Sequence, residues 1–306
     1  MQSVQALPGL YFIQRGYLNG NHFVLPGKEP VLIDTAYATG WQRTKAGLAG
    51  LGVEPAQVRL IINTHTHCDH IGGNHPIQKA SGCDIALHPL GAGFIRARDT
   101  WSTWWRYYDQ EAEFFTPTRE LEDGGTVQVG PHQLSVLHTP GHASDGIVLY
   151  SPAHKVLISS DTLWEKDLAV MTLGVEGPAA VEKALASLER LAALEVRTVF
   201  PGHGSPFNDF QGALAHARQR YQVYLQEPER VWRDQLKRIF IYTLLMGGAP
   251  DEAHFFKRLS ATPWFPETAA QLAAEPAELF KDTMGLLKAK GLVSQSPEGL
   301  ETIVPA

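Results

Sequence analysis

The stretch Val58-Arg59-Leu60-Ile61-Ile62-Asn63-Thr64-His65-Thr66-His67-Cys68-Asp69-His70 decides how this chain is read. Its first half is a short apolar run of the kind that makes a buried strand. Its second half places three imidazoles and one carboxylate within six residues, on the loop that leaves that strand. With thirteen histidines in 306 residues, the pattern H-x-H-x-D-H arises by chance at odds on the order of one in a thousand. Imidazole and carboxylate are preferred donors for zinc and related divalent ions. A loop leaving a strand can turn alternate side chains to different positions around a pair of such ions.

Working outward, strand signals precede the motif at Leu10 to Gln14, Asn21 to Leu25 and Val31 to Ile33, with a Pro26-Gly27 turn and Asp34 closing the last. Gly40 to Leu51 has helical spacing. Beyond the motif come a helix near His75 to Ser81, a strand at Cys83 to His88 and a helix from Pro89. Strand-like runs return at Thr126 to His138, Ile147 to Ser151 and Lys155 to Ser160. A helix over Pro178 to Leu194 follows, then a strand at Arg197 to Phe200. Three of these segments end in a potential ligand: Thr139-Pro140-Gly141-His142, Ser159-Ser160-Asp161 and Pro201-Gly202-His203-Gly204. After Phe207 the pattern changes to helices (Ala213 to Gln226, Glu229 to Met246, Glu252 to Leu259, Pro276 to Ala289) and a small hairpin around Pro297-Glu298-Gly299. This divides the chain into 1–208 and a mainly helical, winged-helix-like 209–306.

The order H-x-H-x-D-H, then His, Asp and His, resembles the metallo-beta-lactamase superfamily over about residues 10 to 208. The resemblance implies an α/β fold, an αββα sandwich with the site at one edge between the sheets, and a metal-dependent hydrolase. Carried over, His65, His67 and His142 would hold one divalent ion and Asp69, His70 and His203 a second, with Asp161 bridging. Zinc is the default ion, with iron or manganese also compatible with His and Asp donors. Paired ions share a water acidified toward pH ~7. The resulting bridging hydroxide is the expected nucleophile, and Asp69 is the catalytic residue that orients it or carries its proton. Asp34, closing its strand, is a candidate hydrogen-bond partner for the far nitrogen of a ligand histidine. Cys68 is expected to point away from the ligands by alternation along the loop, and Cys83 to be core.

Asp161 bears on the reaction. The best-known antibiotic-hydrolysing subclass has Cys at the matching place, whereas the Asp form looks like glyoxalase II, lactonases and the ribonuclease branch. The first expectation is therefore hydrolysis of a carboxylic ester, thioester or lactone. The alternatives are a phosphodiesterase or ribonuclease, and an iron-dependent sulfur dioxygenase. Charge weighs against nucleic acid: residues 209–306 carry 11 basic and 12 acidic side chains, and residues 1–208 carry 15 and 20. A small-molecule substrate is expected. Two cysteines, no signal-like start and no apolar run approaching ~20 residues point to a cytoplasmic protein without an anchor.

Eight of the 29 aromatic residues crowd into Phe94 to Phe115. Trp101, Trp104, Trp105 and Tyr108 have helical spacing and would form one stripe. The stripe is expected to pack on the body of the protein, to form a homodimer interface, or, with Trp164, to wall an apolar substrate pocket.

Overall fold

The structure, a computed structural model, describes residues 3–110 and 112–305. Two sheets face one another. The first contains seven strands in sequential order: β1 (Ser3–Leu7), β2 (Leu10–Ile13), β3 (His22–Leu25), β4 (Val31–Ile33), β5 (Leu60–Ile62), β6 (Asp84–Leu87) and β7 (Arg119–Glu120). Its pairing is antiparallel as far as β4 and parallel beyond it. The second sheet runs β12 (Thr198–Pro201), β11 (Val156–Ser160), β10 (Ile147–Ser151), β9 (His132–His138), β8 (Thr126–Val129).

Side-chain alternation explains why the central strands read as continuous apolar runs. In β10, Ile147 and Leu149 enter the core between the sheets, where they join Phe12, Ile33 and Ile62 of the first sheet. Val148 and Tyr150 point the other way, into a second core under α6 (Ala180–Ala192) and α7 (Phe210–Gln226). The outer face of the first sheet is covered by α1 (Trp41–Gly50), α3 (Asn74–Ser81) and α4 (Pro89–Ala97). Strands buried on both faces can be apolar throughout. The edge strand β8 is not, and alternates exposed Thr126 and Gln128 with buried Val127 and Val129. The layers are helix, sheet, sheet, helix.

The motif loop is partly helical. A short helix, α2 (Cys68–Ile71), starts directly after His67. Successive helical residues turn about 100°, so alternation does not apply to Cys68. Its thiol is buried and donates to Thr103 O at 3.0 Å. Gly72 follows with φ −62, an ordinary helical angle, so the glycine serves not a turn but a close approach: a Cβ there would lie 2.1 Å from Ala38 N.

The C-terminal helices are α8 (Glu229–Gly247), α9 (Glu252–Ser260), α10 (Trp264–Gln271) and α11 (Pro276–Ala289), followed by the hairpin β13 (Val293–Ser296) and β14 (Gly299–Thr302). The helix α10 is absent from the sequence reading because Pro263 and Pro266 flank its start. They sit at the first turn, where backbone N–H groups have no helical partner to lose. Residues of α8 to α11 share one core with Leu18, Tyr37, Trp104, Tyr107, Tyr108 and Val170. No helix of the described residues is long and apolar enough to cross a membrane.

The aromatic segment does not form the expected helical stripe. The helix α4 ends at Ala97 because Arg98 takes a left-handed conformation, and Trp104 does so again at φ 70. The rings scatter as a result. Trp101 is part-exposed and donates to Gly174 O, Trp105 packs on Phe114, and Tyr108 is buried against Thr172 Oγ1 at 2.7 Å.

Candidate metal centre

Four chain segments converge at the ends of the strands. His65, His67, Asp69 and His70 follow β5; His142 lies between β9 and β10; Asp161 follows β11; His203 follows β12. Asn21, just before β3, braces the turn that carries His203, donating to Pro201 O and Gly204 O at 3.0 and 2.9 Å. Potential ligand atoms fall into two groups, His65, His67 and His142, and Asp69, His70, Asp161 and His203, each within 4.8 Å. All seven residues are at most 7% exposed. Asp161 Oδ2 lies 3.3 Å from His142 Nε2 of the first group and 3.6 and 3.7 Å from His70 and His203 Nε2 of the second. Asp69 Oδ2 is 3.1 Å from His203 Nε2.

The rings are oriented from behind. Asp34 Oδ2 accepts from His70 Nδ1 at 2.9 Å, and Val170 O accepts from His142 Nδ1 at 2.7 Å. Both bonds put a proton on Nδ1 and turn Nε2 toward the centre. Asp34 also receives the backbone N–H and hydroxyl of Thr64, and the same hydroxyl meets Ser160 Oγ at 2.7 Å and His65 Nδ1 at 3.2 Å. Asp34 and Ser160 both have positive φ, 58 and 46. Non-glycine residues rarely adopt such angles, and strain of this kind gathers at functional sites. Trp104, also strained, stacks on His67 with centroids 3.6 Å apart. Trp164 Nε1 donates to Asp161 Oδ1 at 3.3 Å.

Charge supports a cation-binding role. Burial, and then mutual repulsion among the imidazoles, holds His65 and His67 far below the usual histidine range; burial also lowers His142. These rings are neutral donors. His70 goes the other way: burial opposes its charge, but Asp69, Asp161 and Asp34 outweigh it and raise its pKa well above the usual histidine range. Burial also opposes ionisation of Asp161, and His203 and His70 overcome it. The Nε2 atoms of His65 and His70 are buried without a hydrogen-bond partner, and His67 Nδ1 faces His142 Nε2 at only 2.9 Å. Unsatisfied buried nitrogens and converging lone pairs fit cations in both groups.

Thr64, Ser160, Asp145 and Glu176 were not singled out from the sequence. Asp145 is buried, and desolvation pushes its carboxyl up to about 6. Burial and then Asp145 push Glu176 up to about 8. A groove of about 630 Å³ lies along α7 and α8 and is lined by Arg220, Tyr224, Arg230, Arg233 and Lys237 with Glu227, Glu229 and Asp234. None of the five candidate pocket residues Trp101, Trp104, Trp105, Tyr108 and Trp164 borders it.

The model of the metallo-beta-lactamase superfamily matches residues 15–203, and the chain belongs to that superfamily. It is a metal-dependent hydrolase of that class. An acyl-coenzyme A thioesterase of Bos taurus is 28% identical over 231 residues, 66% of this chain and 79% of that protein. A hydroxyacylglutathione hydrolase of Rhodospirillum rubrum is 30% identical over 144 residues, 47% of each chain. The crystal structure of a metallo-beta-lactamase family protein from Thermus thermophilus superposes with a TM-score of 0.63 at 23% identity, over 97% of this chain and 100% of that one. That likeness concerns the fold.

Proposed function

We propose that this protein hydrolyses acyl thioesters, within the wider set of carboxylic esters and lactones, with two divalent ions, by preference zinc, held by His65, His67 and His142 and by Asp69, His70 and His203, and with Asp161 between them. The observation that carries the reading is Asp161 Oδ2, set within 3.7 Å of imidazole nitrogens from both groups. Ions bound there supply Lewis-acid polarisation of a carbonyl and acidify a water toward neutral pH. The chain supplies the rest. Asp34, Thr64 and Ser160 lock the rings and the loop, while the carboxylate of Asp69, on the His203 side, is placed to accept a proton from the attacking water. Both relatives are named for releasing an acyl group from a carrier, which favours thioesters among the three substrate classes.

Elemental analysis is expected to give close to two metal ions per chain, together with turnover of acyl thioesters. Asp69→Asn should lose about 100- to 10,000-fold in kcat. Cys68→Ser should retain activity, because its thiol faces Thr103 rather than the centre. Loss of turnover in Cys68→Ser with both ions still bound would sink the assignment.

A further inference from the structure

The ligand histidines differ in how their outward nitrogens are held. Those of His70, His142 and His65 meet Asp34, Val170 O and Thr64 Oγ1 at 2.9, 2.7 and 3.2 Å. His67 is reversed. Its Nδ1 faces the centre, 2.9 Å from His142 Nε2, so as an ion ligand it would carry its proton on Nε2, and that atom is buried without a hydrogen bond. The carboxyl group facing it is that of Glu176, whose Oε1 lies 3.8 Å away.

Glu176 is held in place by its neighbours. It ends the short helix α5 (Leu173–Glu176) and its side chain is 4% exposed. Its N–H bonds Thr172 O at 2.9 Å, and Thr172 Oγ1 meets Tyr108 Oη at 2.7 Å. Trp101 Nε1 donates to Gly174 O at 3.3 Å. A Cβ at Gly174 would come within 2.3 Å of Tyr107 Oη, so α5 lies directly against the aromatic segment. The same segment supplies Trp104, stacked on the His67 ring. One assembly therefore holds His67 by its face and approaches it at its edge.

We infer that Glu176 is the positioning residue of His67: its carboxyl accepts the Nε2–H and so selects the tautomer that leaves Nδ1 free for an ion. The inference rests on the reading of His67 as a ligand through Nδ1. The 3.8 Å separation is longer than a hydrogen bond, and the inference requires that it close when the ion arrives, as supporting bonds tighten around a bound group. Carboxylates behind ligand histidines are worth about 10- to 100-fold in metal affinity.

The test uses the full chain as wild type and as Glu176→Gln, Glu176→Asp and Glu176→Leu. Zinc affinity is measured by chelator competition, and the His67 tautomer by long-range ¹⁵N–¹H spectra of the zinc-stripped protein. Glu176→Leu should weaken one of the two zinc ions about 10- to 100-fold and leave His67 a mixture of tautomers. Glu176→Gln keeps an acceptor oxygen and should restore both readouts to near wild type. Glu176→Asp withdraws the acceptor by one methylene and should behave like Glu176→Leu, so it carries the test if the apolar variant does not fold. Wild-type zinc affinity and an unchanged tautomer in Glu176→Asp and Glu176→Leu would overturn the positioning role alone. A wild type that binds zinc without moving the His67 resonances, or binds none, would overturn the metal reading and this inference with it.

Discussion

His65, His67 and His142 on one side of Asp161, and Asp69, His70 and His203 on the other, are built from similar rings but carry different charge. The first set is three imidazoles whose pKa values burial, and then nearby imidazoles including His70, lower. The second surrounds His70 with carboxylates that raise its pKa. A cation bound in the first set would displace no proton from a ring. In the second it would compete with a proton on His70. The difference teaches that one fold edge can present two ligand groups, one without and one with a proton to displace, using the same residue type, by moving a few carboxylates.

The largest effect is expected where the two sides meet. Asp161→Ala should drop metal content below one ion per chain and kcat/KM by about 1,000-fold or more, as for a residue serving both members of a metal pair. Retention of both ions would break the comparison, since Asp161 would then belong to neither side. A smaller effect should separate the sides by pH. His70 has its pKa raised in the folded chain, so zinc binding to its group should release one proton and gain about tenfold in affinity per pH unit until His70 deprotonates. The first group should show no such slope between about pH 6 and 8. Zinc titrations across that range, with proton release measured, decide it.

A separate effect, on stability rather than on ion binding, concerns His22, a buried imidazole on β3 outside both groups. Burial, and then Arg15, push it down to about 3, and both its ring nitrogens lack partners. A histidine with a depressed pKa in the fold contributes full stability above the unfolded value near 6.5 and loses it as pH falls toward the folded value. The loss approaches about 4 kcal/mol near pH 3. His22→Phe should shift the acid unfolding midpoint to lower pH, with or without zinc. A midpoint that stays put would place the acid-labile step in the centre itself.

Much of this was legible in the chain. Strand β5 and the H-x-H-x-D-H loop announce themselves by a run and a spacing, and family resemblance added His142, Asp161 and His203, whose turns alone would mean little. Asp34 was named for its place at a strand end, and the structure puts it against His70. Glu176 was not legible, because its nearness to His67 depends on α5 docking against an aromatic segment whose path departs from its helical spacing. Helical spacing among Trp101, Trp104, Trp105 and Tyr108 cannot reveal that Arg98 and Trp104 turn left-handed. Prolines hid α10 for the opposite reason, since residues that break a helix inside it are harmless at its start.

The C-terminal end bears on the order in which the protein can be made. Tyr17 N donates to Pro305 O at 2.8 Å and its ring stacks on Tyr242 at 4.8 Å, while Tyr107 Oη donates to Glu267 Oε2 at 2.6 Å. Contacts so distant along the chain form late, after local helices and hairpins. The two sheets can pair once β12 has emerged, but the aromatic segment behind His67 stays without its cover until the last helices leave the ribosome. Until then the apolar wall behind His67 is open to water, and a chain in that state is exposed to aggregation.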